Sequence, residues 1–443
     1  MYLKAIKFNS KDVKKGDLFI SFYGKNQDKY ILDALNKKAS LVITNSNYIH
    51  EKVIRVLNLD KEIISILDKY YNYPLKNTKL IGVCGTDGKT TVTSILSDLL
   101  NAPSIGTNGF ILNNNEFPLN NTTPSIDILY NCFNKTRNYK YVVMEVSSEA
   151  YLTNRIGDLK FDIALFTNIT KDHLDKHKTF ENYLDCKLKL FKNSKLAILN
   201  RDSKYYYKFK DNSRNSYSYG FKKGSDLRIL SYKLYYNKTI MYFNYQGKKY
   251  KAIYPLLGKF NVYNVSACIL TMLNLGFNIS FILERLKNIN QIKGRMEFVY
   301  NKYFQVVIDY AHTTNATLSV LKFFRKYNKN IITIVGCAGG RYKEKRKEIG
   351  KIVLKYSKLV IFTTDDPRYE NPLDIVNEML NNTKKTNYII MIDRCDAIKF
   401  ALSIALKNDL VLILGKGRDN YMLIGNSKIP YSDYDTVLDL LNL

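Results

Sequence analysis

The stretch Ile81 to Thr91, IGVCGTDGKTT, ties the chain to one local architecture: an apolar run, a glycine-rich turn and a helix opening near Lys89. LIGVC has the length and character of a strand buried on both faces, and TVTSILSDLL carries apolar residues at helical spacing. A strand that passes through glycines into a helix N-terminus aims several backbone N–H groups at one spot. That arrangement cradles phosphate oxygens. The usual spacing of such a loop is G-x-x-x-x-G-K-[ST]. Here Val83 stands five residues before Gly88, and only the shorter Gly85, Thr86, Asp87, Gly88, Lys89, Thr90, Thr91 is intact. The glycines allow close approach, Lys89 supplies a point charge, and the Thr90 hydroxyl is placed for Mg2+.

The alternation of strand and helix extends along the chain and predicts an α/β fold. KKGDLFISFYG, YILDALNKKA and SLVIT read as strand, helix and strand, and YPLKNTK as a connector. YVVMEV, IALFTNI and KLAILN read as buried strands of a mostly parallel sheet, with SYKLYYNKTIMYFNY as hairpins laid on its side and GKFNVYNVSACILTMLNLG as a helix. QVVIDYAH, IITIVGCAGG, KLVIFTTDD, NYIIMID and LVLILGKG then begin a second parallel, doubly wound sheet, whose ligands are expected beyond the carboxyl ends of its strands. At about 150 residues per domain, 443 residues suggest three, and the texture changes place them at 1–78, 79–294 and 295–443.

Composition narrows the class. No uncharged apolar run reaches the roughly 18 residues of a membrane span, and MYLKAIKFNSKDVKKGD lacks the apolar core of a secretory leader, so a cytoplasmic protein is expected. The six cysteines stand far apart, without metal-finger spacing, and are expected to be reduced; Cys84 reads as a small packing residue. The net charge of +28 is spread among Asn, Ile and Tyr rather than gathered on one stretch. It argues against a nucleic-acid partner and for attraction of small polyanions such as nucleotides.

Several polar residues close the expected strands. Glu145 ends YVVMEV, where a carboxylate can ligate Mg2+ or cap a helix. Asn168 follows IALFT, with Asp172 and His173 soon after. His173 can serve as a second metal ligand, whereas His177 reads as a surface residue.

Taken in order, GTDGKTT, TTP (Thr122 to Pro124), MEVSS (Met144 to Ser148), FTNITKDH (Phe166 to His173), YLDCKLKLF (Tyr183 to Phe191), LGKFNVYN (Leu257 to Asn264), GRME (Gly294 to Glu297), DYAHT (Asp309 to Thr313) and DDPR (Asp365 to Arg368) resemble the ordered motifs of the Mur ligases, of the MurE type. The resemblance spans essentially the whole chain. It implies an N-terminal domain holding UDP, a central P-loop-type ATPase and a C-terminal Rossmann-like domain receiving an amino acid. It also implies ADP-forming amide synthesis through an acyl phosphate: a carboxylate is a poor electrophile until a phosphoryl group makes it one.

Carried over residue by residue, the resemblance gives Lys89 and its loop the triphosphate, and gives Thr90, Glu145, His173 and a carbamylated Lys187 the Mg2+. Asn264, Arg295 and Asp309 would meet the nucleotide. Ser10, Thr122, Thr123, Ser148 and Arg155 would contact UDP-MurNAc-L-Ala-D-Glu, and Arg346, Asp366, Arg368, Gly415 and Asp419 the incoming amino acid. Arg368 favours a substrate with a second carboxylate, hence meso-diaminopimelate over lysine, while the carboxylate of Asp366 would welcome an amine. Three motifs depart from the family pattern. S-S-H-A reads Ser147-Ser148-Glu149-Ala150, G-K-G-H-E reads GKGRD, and G-D-R-D reads Gly339-Gly340-Arg341-Tyr342. Two alternatives stay open: a superfamily member with another acceptor, folylpolyglutamate-synthetase-like or a specialised paralogue, and a nucleotide-gated basic binding protein. A monomer is expected.

Overall fold

The structure, a computed structural model, describes residues 4–22, 26–328 and 330–442. Tyr23 and Gly24, the end of the first expected strand segment, lie outside the described residues. The N-terminal sheet runs in chain order through Ile6–Lys7, Leu18–Ser21, Leu41–Thr44 and Val53–Arg55, all parallel. The helix Leu59–Tyr70 was not anticipated. Its signal was present: Leu59, Ile63 and Leu67 recur at helical spacing and are buried, and the Asn58 side chain caps the Lys61 amide.

Eleven strands form the central sheet. From one edge the order is Lys248–Tyr254, Thr239–Tyr245, Leu227–Leu234, Ser216–Gly220, Ser194–Asn200, Phe161–Phe166, Lys79–Cys84, Tyr141–Glu145, Ser104–Gly106, Gly109–Leu112 and Asn115–Phe117. The hairpins expected on the side of the central domain prolong its sheet. Leu227–Leu234 pairs parallel with Ser216–Gly220, and the antiparallel strands follow. The reason is the alternation itself. Leu227, Ile229, Met241, Phe243, Ala252 and Tyr254 continue one buried face and pack with Val262, Val265 and Ile269 of the helix Lys259–Asn274. The phosphate-loop strand sits near the middle, where neighbours on both sides satisfy its ladder and hold its end in place.

The C-terminal sheet has the order Glu297–Asn301, Gln305–Asp309, Leu410–Leu414, Ile331–Val335, Leu359–Phe362, Tyr388–Ile390. The five expected strands are parallel, and Glu297–Asn301 adds an antiparallel edge. Apolar side chains cover both faces, as a doubly wound sheet requires. A hairpin, Tyr421–Ile424 with Ser427–Pro430, projects beyond it. The six cysteines are unpaired, and Cys84 is buried in the core. Among the described residues no helix is long and apolar enough to cross a membrane.

Candidate active site

The phosphate loop leaves the strand Lys79–Cys84 and enters the helix Lys89–Leu100. Gly88 has φ +86°, and a Cβ there would lie 2.7 Å from Asn264 Oδ1, so only glycine fits. The loop is fastened from the next strand. Asn168 Oδ1 accepts from the Asp87 amide at 3.0 Å, Thr167 Oγ1 donates to the Asp87 carbonyl at 2.7 Å, and the Thr86 amide donates to the Asn168 carbonyl. FTN thus acts as a strap on the loop. Lys89 Nζ donates to the carbonyls of Gly85 at 3.0 Å and Thr86 at 2.8 Å. Asp87 is half-buried, and desolvation pushes its carboxyl up from the usual range.

Thr90 and Glu145, expected together, are together. Thr90 Oγ1 donates to Glu145 Oε2 at 3.1 Å, while Thr107 donates its amide to Oε1 at 2.8 Å. Gly106 makes this approach possible, because a Cβ there would strike the Glu145 carboxylate. Glu145 is 1% exposed, and its recorded partners are hydroxyl and amide hydrogens only. That donor set suits a hard cation whose remaining ligands are phosphate oxygens and water.

The other two expected metal ligands have partners of their own. His173, at φ +53°, turns Nδ1 to Glu149 Oε1 at 3.4 Å and Nε2 to Asp172 Oδ2 at 3.6 Å. Lys187 is 2% exposed, lies 4.5 Å over the Tyr183 ring and donates to the Gly85 carbonyl at 2.8 Å. Its burial lowers the ammonium's pKa from the usual lysine range. Among the described residues, no three or more His, Cys, Asp or Glu side chains gather as a metal cluster.

The second unit closes on the loop. Arg295 donates to Thr90 Oγ1 at 3.1 Å and stacks over Tyr310 at 4.4 Å, and Thr313 Oγ1 donates to Asp87 Oδ1 at 3.3 Å. Asp309 is buried, its oxygens accepting from the amides of Met296 and Ala311 at 2.7 Å each, and burial raises its carboxyl. Asn264, beside Gly88, donates to Asn261 Oδ1 at 3.0 Å. Thr123 Oγ1 donates to the Glu145 carbonyl and accepts from the Ser147 amide, and Arg155 Nη1 donates to the Thr123 carbonyl at 2.6 Å. Thr122 meets Thr107 at 3.1 Å. Ser10 is buried far off in the N-terminal sheet's short helix Ser10–Asp12, its carbonyl accepting from Lys37.

Three expectations need correcting. His177 is not a surface residue: it is 1% exposed, its Nε2 lies 3.0 Å from Ser148 Oγ, and its ring packs on Tyr183. Arg346 is not free for a substrate. It is 1% exposed and donates to Glu370, Glu378 and the Ala338 carbonyl. Asp366 does not wait for an amine, since Lys416 Nζ already reaches its Oδ1 at 2.8 Å and the Leu423 amide at 3.0 Å. Arg368, at φ +54°, exchanges backbone bonds with Leu423 and Gly425, and its buried Nε has no partner. Gly415 lies against Asp365. Burial lifts the Asp419 carboxyl to about 7 despite Lys416, with Asp365 and Asp366 adding repulsion.

The sequence reading missed Thr107, Tyr183, Lys416 and Arg341 as site-forming residues. Lys416 and Arg341 sit inside quoted motifs. Thr107 has no signal beyond its glycine-rich neighbourhood, and Tyr183, whose hydroxyl lies 2.9 Å from Thr86 Oγ1, opens a motif read only for its lysine.

A phosphate loop at the centre of a parallel sheet, closed by a second doubly wound unit that brings an arginine to it, defines an ATP-dependent ligase of the three-unit kind. Residues 83–272 match the Mur ligase middle domain and residues 294–417 the Mur ligase glutamate ligase domain. The chain is 33% identical to the UDP-N-acetylmuramoyl-L-alanyl-D-glutamate–2,6-diaminopimelate ligase of Clostridium tetani, covering 99% of this chain and 95% of that one. It is 36% identical to the enzyme of the same name from Clostridioides difficile, again over 99% and 95%. A solved structure of a ligase of that name superposes with a TM-score of 0.71 at 25% identity over 99% of this chain and 95% of the other. The chain belongs to the Mur ligase family, whose members use ATP and Mg2+.

Proposed function

We propose that this enzyme joins meso-diaminopimelate to UDP-MurNAc-L-Ala-D-Glu in the cytoplasm, forming ADP and phosphate during peptidoglycan precursor synthesis. The observation that carries the reading is the junction itself: Arg295 and Thr313 of the C-terminal unit reach Thr90 and Asp87 of the phosphate loop. A phosphoryl group leaving that loop would emerge between the two units, where an acyl acceptor and an amine can meet. The names of the full-length relatives support the same substrates.

In this reading residues 1–78 hold the UDP end through the Ser10 region, 79–294 bind ATP, and 295–443 receive the amino acid. Gly85 to Thr91 cradle the phosphates, and Asn264, Arg295 and Asp309 frame the nucleotide. Thr122, Thr123, Ser148 and Arg155 line the dipeptide path. Thr90 and Glu145 hold Mg2+, which supplies charge neutralisation at the transferring phosphate. His173, with Glu145, would hold a second Mg2+. Lys187 is proposed to carry a carbamate: it is buried, faces no carboxylate within hydrogen-bonding distance, and a neutral amine is the form that adds CO2. The unpartnered Nε of Arg368 supports a second carboxylate on the amino acid, which meso-diaminopimelate has and lysine lacks.

The test is phosphate release from ATP with UDP-MurNAc-dipeptide and a panel of diamino acids. Stimulation by meso-diaminopimelate at least tenfold above lysine is expected. No stimulation by any diamino acid would overturn the assignment.

A further inference from the structure

Glu149 occupies a meeting point that the proposed chemistry does not use. It lies in the short helix Ser148–Leu152, on the acceptor side of the central unit. Its Oε1 is 3.4 Å from His173 Nδ1 and 3.7 Å from Arg341 Nη1. Arg341 belongs to the C-terminal unit, in the loop that follows the strand Ile331–Val335, and the same Nη1 lies 3.6 Å from Asp175 Oδ2. Both oxygens of Asp175 and Nη1 of Arg341 are shielded from solvent without a hydrogen bond. Buried charges so placed are costly unless they draw closer, and the two units are the parts that can move to let them.

We propose that Glu149 is a positioning residue that couples seating of the C-terminal unit to the orientation of the His173 imidazole. Arg341, arriving with its unit, bridges Asp175 and Glu149. Glu149 is then held with one oxygen against His173 Nδ1, which fixes the ring and leaves Nε2 on the side of Asp172. His173 is itself in a left-handed conformation, so its ring direction depends on side-chain contacts rather than on a regular helix. A histidine at position 149, the usual residue in the family motif, could not hold Arg341 and steer a second imidazole in this way. In this chain the arginine and the glutamate form one device.

The inference rests on the proposed role of His173 as a metal ligand, and the test separates the two. Small-angle scattering of the full chain, with Mg2+ and a non-hydrolysable ATP analogue, reads seating. Amino-acid-dependent phosphate release reads chemistry. Glu149→Gln and Arg341→Ala are each expected to expand the scattering profile and lower kcat at least tenfold, with the KM for ATP changed less than twofold. The double variant is expected to be no worse than the poorer single one, and Glu149→Asp to recover part of kcat. Unchanged scattering, or single effects that multiply in the double variant, would overturn the coupling. Normal compaction with no phosphate release in the unmodified protein would instead overturn the ligase reading and leave the contact between units standing.

Discussion

At Lys187 burial and chemistry pull in the same direction. The side chain is enclosed above Tyr183, burial lowers its pKa, and its carbonyl partner on Gly85 also receives Lys89. Replacing it by alanine is expected to lower kcat at least a hundredfold; bicarbonate should not restore the loss, whereas a short-chain carboxylate should in part, measured as phosphate release. Unaltered turnover in Lys187→Ala would remove the carbamate. Asp419 gives a second residue-scale prediction. Its carboxyl rises from 3.8 to about 7, with burial the leading cause. A raised carboxyl favours the protonated form in the folded state. That contribution is complete below the unfolded value and is lost as pH climbs toward 7. Asp419→Asn should therefore melt progressively higher than the unmodified chain between pH 4 and 7, by about 2 °C or more at the upper end in thermal scans. The motif residues were legible because each carries a chemical type that phosphate or carboxylate recognition demands. His177 was not, because a histidine's burial depends on Ser148 and Tyr183, which lie distant in sequence.

Elements carry a different kind of information. The strand Lys79–Cys84 and the helix Lys89–Leu100 were readable because an apolar run, glycines and helical periodicity agree with one another. The hairpins were readable as strands but their place in the sheet order was not, since alternation fixes which residues face inward and not which neighbour receives them. Their final strand, Lys248–Tyr254, is a sheet edge with Lys248, Lys249 and Lys251 exposed. Charge along an edge prevents pairing with another chain. Replacing Lys249 and Lys251 together by valine is expected to leave the kinetics within twofold but to produce association in sedimentation velocity. At the other end of the same sheet, Gly106→Ala would push a Cβ into Glu145. A loss of kcat of about a hundredfold is expected with an unchanged circular dichroism spectrum, on the scale of removing one electrostatic contact to the reacting group.

On the scale of the whole molecule, separate hydrophobic clusters occupy the sheets' opposite faces, and polar side chains join the central and C-terminal units across the nucleotide side. Leu234, Leu257 and Phe260 of the central unit also pack in the C-terminal core cluster, and an interface of this mixed composition still lets the two units unfold separately. A nucleotide with Mg2+ at a hundred times its dissociation constant should add about 2.7 kcal/mol to the stability of the state it binds. Differential scanning calorimetry is expected to resolve more than one transition for the protein alone and to show them merging when both are present. Merging with ATP but without UDP-MurNAc-dipeptide would indicate that the nucleotide alone joins the units. The three-part plan could be anticipated from texture and motif order. The pairing of Arg295 with Thr90 could not, because more than two hundred residues separate them and only the closed fold brings them together.

Lys89 makes binding at this loop an exchange rather than an addition. Its ammonium is engaged with the carbonyls of Gly85 and Thr86, and Arg295 is engaged with the Thr90 hydroxyl. A triphosphate that recruits these cations must take them from oxygens of the protein. The net affinity is then a difference between two sets of bonds of similar kind, smaller than the new bonds to phosphate alone would give.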